Sequence, residues 1–296
     1  MLRGEVKMAR NLLGIYPEKE GDTVLYYVVG GRLSKSGTSF RKIGVFDQGG
    51  IEEALASEKG KTIGVLPMRY VFSRLRSLPS GSGKKVREIV GYELDQVVPY
   101  ELEDLLWGFQ ILETGGTVIP VEMSAVLLNV GERYFPFPVD SLCPASNALP
   151  RAFCETDNHV AVITMHEDYT DLNVVKDQHN YSAWIIPHGV PRDNETAELF
   201  VDKLVKKLDY YKSLPHGTQL RRFMSPNHRS DVGRLRGALN SGEIPKQLGL
   251  EKVRIMESNP FRSLINVWGG QIPFLYAIAG ILSAGEGIDY YKGRKK

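Results

Sequence analysis

The sequence is poor in the residues that most often announce chemistry. It has two cysteines, Cys143 and Cys154, with no CxxC pair to seat a metal and no framework of bridges, which fits a reducing compartment. Its six histidines (His159, His166, His179, His188, His216 and His228) form no HExxH or HxH pair, so no metal or other cofactor is expected. An excess of one charge is lacking too. Lys plus Arg total 37 against 35 for Asp plus Glu, and a formal charge of +2 argues against a dedicated nucleic-acid binder. The first ten residues carry positive charge but no apolar stretch of signal-peptide length, so export is not expected. Long apolar runs are also missing. Residues 264–285 are uncharged, but Asn266, Gln271, Pro273, Gly269, Gly270, Gly280 and Gly285 interrupt them. The compact run 272–282 falls short of the roughly 20 residues a bilayer crossing needs, which predicts a buried core helix. What the chain does have is core material: 42% apolar and 9% aromatic residues in 296 exclude global disorder and suggest two ordinary domains or one two-lobed unit.

The order of elements repeats. Val-, Ile- and Tyr-rich runs at 12–16, 23–29 and 39–46 predict a meander, followed by a helix at 51–59 and a strand at 62–66. Further on, strands at 160–164, 170–175 and 181–186 precede a long helix from about Asp193. Ala197, Phe200, Val201, Leu204, Val205, Leu208 and Tyr211 recur there at helical spacing, with Asp193 or Asn194 as N-cap. Strands near 219–224 and 253–256 and helices near 232–239 and 272–284 complete this half. Two βββαβ halves amount to a duplication of element order, without a repeat at the level of residues. Between them, 67–137 reads as a small α+β insertion, with strands at 70–78, 107–112 and 122–129 and a helix at 84–98 ended by Pro99.

The motifs weigh toward bland readings. Ser80-Gly81-Ser82-Gly83-Lys84-Lys85 sits between strand and helix like a phosphate loop, but Leu78 replaces the first glycine of GxxxxGK and Lys85 the hydroxyl that ligates magnesium. A solvated turn is expected. Glu101, Glu103 and Asp104 read as the charged first turn of a short helix, and His166-Glu167-Asp168 as a surface loop between strands.

The stretch LPMRYVFSRLRSLPSGSGKKVREIVGYELDQVVPYELEDLLWGFQILE at 66–113 resembles a segment of the type IV pilus protein PilM and of the cytoplasmic part of type II secretion protein L (GspL). FPVDSLCPASNALPRAF at 137–153 is similar to a helix of that family and 160–189 to its second phosphate hairpin. Asn259-Pro260-Phe261 and the closing helix at 274–284 also match in order. The resemblance implies an α/β fold of duplicated actin-like (ribonuclease H-like) lobes with a small α+β insertion domain. Its parts would be 1–66 as the first part of lobe I, 67–137 as the insertion and 138–158 as a connecting helix of lobe I. Lobe II would be 159–285, and 286–296 a basic, juxtamembrane segment.

Against that family the nucleotide loops are degenerate. Tyr16 stands where an aspartate would hold the hydrated metal, and Pro17-Glu18 removes a donor and adds a charge that repels phosphate. Thr164-Met165-His166 replaces the second DxG, and Ser225-Pro226-Asn227 the adenosine-side glycines. No catalytic, cofactor or metal residue is therefore expected, and the chain reads as a pseudo-ATPase. The resemblance implies an adaptor at the cytoplasmic face of the bacterial inner membrane. It would link a secretion or pilus ATPase of the GspE/PilB type to platform proteins of the GspM/PilN type. Nucleic acid is not an expected partner, and a homodimer is left open. The end of the chain resembles the segment that precedes the transmembrane helix of secretion protein L or that begins PilN. This implies partner contacts at Ile288, Tyr290 and Tyr291 and a following span. Two alternatives stay open: an active actin-like ATPase or kinase of the same fold, and a divergent P-loop protein.

Overall fold

The structure, a computed structural model, describes residues 10–34, 37–113, 115–153, 159–189, 193–214, 217–227, 229–240, 244–247, 252–257 and 261–284, together with 288 and 290. The chain opens as the meander its Val- and Tyr-rich runs predict: β1 (Arg10–Glu20), β2 (Thr23–Ser34) and β3 (Gly37–Phe46), each antiparallel to the next. Gly21, at φ +59, supplies the left-handed residue of the β1–β2 turn. Helix α1 (Gln48–Ala56) starts where the Asp47 carboxylate accepts from the Gly50 amide, and β4 (Lys61–Leu66) returns parallel to β1.

The insertion follows as β5 (Phe72–Pro79), α2 (Gly83–Val97), β6 (Leu105–Ile111) and β7 (Val118–Leu127). Its sheet has the order β5-β7-β6, and Val86, Val90 and Leu94 of α2 pack on Leu78, Val121 and Met123. Ser82 caps α2, its hydroxyl accepting from the Lys85 amide at 3.4 Å, so the Ser80–Lys85 segment is an exposed turn that starts a helix. The three acidic residues at 101, 103 and 104 border a single 3-10 turn at Leu102–Asp104.

After α3 (Leu128–Tyr134) the stretch expected to be a connecting helix is different. It begins as β8 (Ser141–Pro144), parallel to β4, and only then turns into the short α4 (Ala145–Ala148) and a 3-10 turn at Leu149–Ala152. Pro144 explains the correction, because the residue before a proline is pushed out of the helical region.

The second half contains β9 (Val160–Met165), β10 (Thr170–Lys176), β11 (His179–Ile186), α5 (Asn194–Ser213), β12 (Phe223–Ser225), α6 (Arg229–Leu239), α7 (Ile244–Gln247), β13 (Ile255–Glu257), α8 (Arg262–Val267) and α9 (Pro273–Leu282). The two five-stranded sheets run β3-β2-β1-β4-β8 and β11-β10-β9-β12-β13, so the duplication extends one strand further than the sequence suggested. Asp193 caps α5 in a capping box with Thr196, and Phe200, Leu204 and Leu208 cover Ile163, Leu172 and Val174 of the second sheet.

Helix α9 lies between the sheets. Phe274 through Ile281 are all buried, packed against Leu12, Val29, Ile63 and Val65 of the first sheet and Val162 and Val175 of the second. A helix apolar all round is suited to that place. Five large side chains, Phe274, Leu275, Tyr276, Ile278 and Ile281, are buried here, which is worth on the order of 10 kcal/mol. The fit is close: a Cβ on Gly14 would stand 2.0 Å from the Ala277 carbonyl oxygen, and one on Gly280 would stand 2.5 Å from Val65. Although it follows the second lobe in sequence, α9 therefore roofs the first sheet. Among the described residues no helix is long and apolar enough to cross a membrane.

Candidate functional site: the cleft between the lobes

The β1–β2 turn of the first lobe and the β9–β10 turn of the second face each other across a cleft of about 1060 Å³. Glu18, Glu20 and Arg69 line it from the first lobe, His166, Glu167, Asp168, Asn227 and Asp231 from the second, and Gln271 and Pro273 from the start of α9. The alternation of β1 turns Tyr16 inward, and its ring stacks on Tyr276 of α9 with centroids 4.5 Å apart and planes 13° from parallel. His166 stacks on Tyr169 at 4.1 Å and lies 5.9 Å from the Tyr276 ring. Four aromatic rings thus fill the floor beneath the cleft.

Charges are paired among these rings. His166 Nε2 is 3.2 Å from Asp171 Oδ2 and its Nδ1 3.7 Å from Glu18 Oε2, while the Tyr276 hydroxyl donates to Asp171 at 2.5 Å. Arg69 reaches Glu18 at 3.9 Å and Asp168 at 3.8 Å and lies over the Tyr169 ring at 4.8 Å. Burial pulls the His166 pKa down, but Asp171 and Glu18 outweigh it and raise the imidazole above its ordinary value. Burial raises Glu18 above the usual carboxylate range, against the pull of His166 and Arg69. Tyr16, Tyr169 and Tyr276 are all raised by burial, so their hydroxyls stay neutral. The result is a network in which the Arg69 guanidinium and the His166 imidazole face two buried carboxylates, with Asp168 at the rim.

The second wall is fixed by Asn227. Its amide donates to the Met165 carbonyl at 2.6 Å, its carbonyl accepts from the Met165 amide at 2.8 Å, and Ser225 donates to it at 3.1 Å. Where a glycine pair would admit an adenosine, buried side chains tie β12 to β9. Gln271 donates to the Tyr27 hydroxyl at 3.3 Å and that hydroxyl to Glu20 at 2.9 Å.

The structure corrects the surface-loop reading of His166, whose side chain is 6% exposed, while Asp168 is the exposed member of that turn at 75%. Sequence reading missed Glu18 as a buried group, along with Arg69, Asp171 and Glu122. A signal was present for two of them: Asp171 and Glu122 are lone carboxylates inside apolar strands, a pattern that demands partners. Among the described residues no cluster of His, Cys, Asp and Glu has the geometry to hold a metal.

The residues expected to contact partners lie elsewhere. Ile288 and Tyr290 are buried between the insertion and the first lobe, where the Ile288 amide donates to Asn147 at 2.8 Å. The Tyr290 hydroxyl is 2.6 Å from Ser124 Oγ. Gly108 leaves room for Ile288, whose Cγ2 would meet an added Cβ at 2.7 Å. Their side chains face the chain's own core, so the exposure that a partner contact needs is absent at both. Tyr291 lies outside the described residues.

No protein-family model matches the sequence, and no curated protein does. Solved structures match its shape. A chain of the PilM–PilN type IV pilus biogenesis complex superposes with a TM-score of 0.57, covering 91% of this chain and 98% of that one at 13% identity. The cytoplasmic domain of EpsL, an inner membrane component of the type II secretion system of Vibrio cholerae, gives 0.51 over 94% and 97% at 10% identity. A Bacteroides thetaiotaomicron protein with an actin-like ATPase fold and unknown function gives 0.50 over 93% and 96%, also at 10%. At such identities the likeness establishes the fold. This chain has duplicated actin-like lobes with a small insertion, as the resemblance implied.

Proposed function

We propose that this chain is a non-catalytic actin-like adaptor of a bacterial type II secretion or type IV pilus inner-membrane platform. It acts at the cytoplasmic face, linking a secretion ATPase of the GspE/PilB type to platform proteins of the GspM/PilN type. The fold supports the class, because two similar solved structures are a chain of a PilM–PilN complex and the cytoplasmic domain of an inner membrane secretion component. One observation carries the non-catalytic part: the Tyr16–Tyr276 stack occupies the place where a carboxylate and a backbone turn would have to receive metal and phosphate. Near it, the Arg69 guanidinium and the His166 imidazole face Glu18 and Asp171, and Lys19 is the other basic residue lining the cleft. Glu20, Glu167, Asp168 and Asp231 around the opening add negative potential that opposes a triphosphate.

A second reading, an active ATPase or kinase, is favoured by the size of the cleft, since about 1060 Å³ would admit a nucleotide. Calorimetric titration with Mg-ATP separates the two. The adaptor reading expects no saturable heat and no phosphate release, together with retention of the chain on an immobilised N-terminal domain of a secretion ATPase. Micromolar binding with turnover would establish the enzyme instead, and failure to be retained at low and moderate salt would remove the adaptor role.

A further inference from the structure

One end of the first sheet gathers basic residues from four neighbouring strands. Arg10 opens β1, Arg32 lies near the end of β2, Arg41 is in β3, and Lys59 and Lys61 stand at the start of β4. Strand pairing gathers them at that end, with Asn11 opposite Arg32, Gly30 opposite Arg41 and Leu12 beside Lys61, Arg10 and Lys61 lying in phase with the face that α9 covers and Arg32 and Arg41 with the other, so that they flank the rim from both sides. All five side chains are exposed. Arg41 pairs with Glu58, whereas Arg10, Arg32, Lys59 and Lys61 make no side-chain hydrogen bond or ion pair among the described residues.

Two adjoining concavities open between them. One of about 260 Å³ is bordered by Arg32, Arg41 and Lys59, and one of about 460 Å³ by Arg10, Lys59 and Lys61. Gly30, where an added Cβ would stand 3.2 Å from the Arg41 side chain, keeps the first open beside that guanidinium. At a strand spacing of about 4.8 Å the four strands spread the cations over roughly 15 Å, a row rather than a single-ion pocket. In a chain of net charge +2 this concentration is local and not a by-product of composition.

We infer that this rim docks on the anionic phospholipid headgroups of a bilayer, with phosphates seated in the two concavities. The rim offers little to a nucleic-acid strand, because its one aromatic ring, Phe40, is half-buried and packed on the core rather than presented for stacking. A lysine or arginine near an anionic leaflet strengthens binding by about fivefold, so the four unpaired cations supply several hundred-fold. That attraction fades with salt over a Debye length of about 8 Å at physiological ionic strength. The inference does not rest on the adaptor reading, and its failure would leave that reading as it stands.

Co-sedimentation of the full chain with vesicles tests it. The expected result is binding to phosphatidylcholine vesicles doped with phosphatidylglycerol and none to phosphatidylcholine alone. The variant R10Q/R32Q/K59Q/K61Q should bind more than about 100-fold more weakly with an unchanged unfolding midpoint. Should that variant misfold, Arg32→Glu alone reads the same surface, with an expected loss of about tenfold or more. A companion variant, K292Q/R294Q/K295Q/K296Q, should keep most of the binding. Retention of full binding by the rim variants, complete loss in the tail variant, or rim-dependent binding of a short RNA that displaces the vesicles would overturn the inference.

Discussion

Glu122 is 1% exposed where β7, β11 and α4 meet, and it survives there through its donors. Asn180 donates to it at 2.9 Å, Asn147 at 3.1 Å and Ser73 at 3.3 Å, so the insertion, both lobes and, through Asn147, the Ile288 backbone share one acceptor. Burial, resisted by those donors, pushes its carboxyl from 4.5 up to about 7. A raised folded-state pKa means that the fold favours the protonated form. Its contribution is full below the unfolded value and is lost as pH rises through about 7, a change on the order of 3 kcal/mol. Urea denaturation should therefore show stability falling from about pH 5 to pH 8, and Glu122→Gln should flatten that slope whatever its own absolute cost. An unchanged slope in the variant would assign the pH dependence to another group.

The elements that were legible in sequence are those with one strong local signal. Helix α5 begins at Asp193 because a capping box and a 3.6-residue apolar stripe agree there. Strand β8 was not legible, since four residues that end on a proline carry no period. Helix α9 was legible as a helix but not in its position, because an all-round apolar surface names no preferred face. That position gives a sharp expectation. Gly14→Ala would set a methyl carbon 2.0 Å from the Ala277 oxygen, so it should cost more than about 2 kcal/mol, read as a fall in the thermal midpoint. The β10–β11 hairpin gives the opposite sign. Asp177 and Gln178 adopt φ of +50 and +64, and Gln178→Gly should raise stability by about 0.5–1 kcal/mol in the same assay.

At the scale of the molecule, the sequence showed that nucleotide motifs were missing but not what had replaced them. Motif loss is local, whereas the replacement is assembled from Tyr16 and Glu18 on β1, Arg69 after β4, His166, Tyr169 and Asp171 around one turn, and Tyr276 on α9. No window of sequence contains that set. Restoring the acid alone should therefore restore nothing: Tyr16→Asp is expected to bind no Mg-ATP by titration. It should also lose about 3–5 kcal/mol of stability, through the vacated ring volume and a third carboxylate near Glu18 and Asp171.

The roofing of the first sheet by α9 also sets a timetable for synthesis. Gln271 meets Tyr27 across 244 residues of chain, so at about 5–20 residues per second β2 waits roughly 10–50 s on the ribosome before its cover emerges. Until then Leu12, Val29, Ile63 and Val65 lack the helix that covers them in the finished fold, and the nascent chain carries an apolar face open to its neighbours on the polysome.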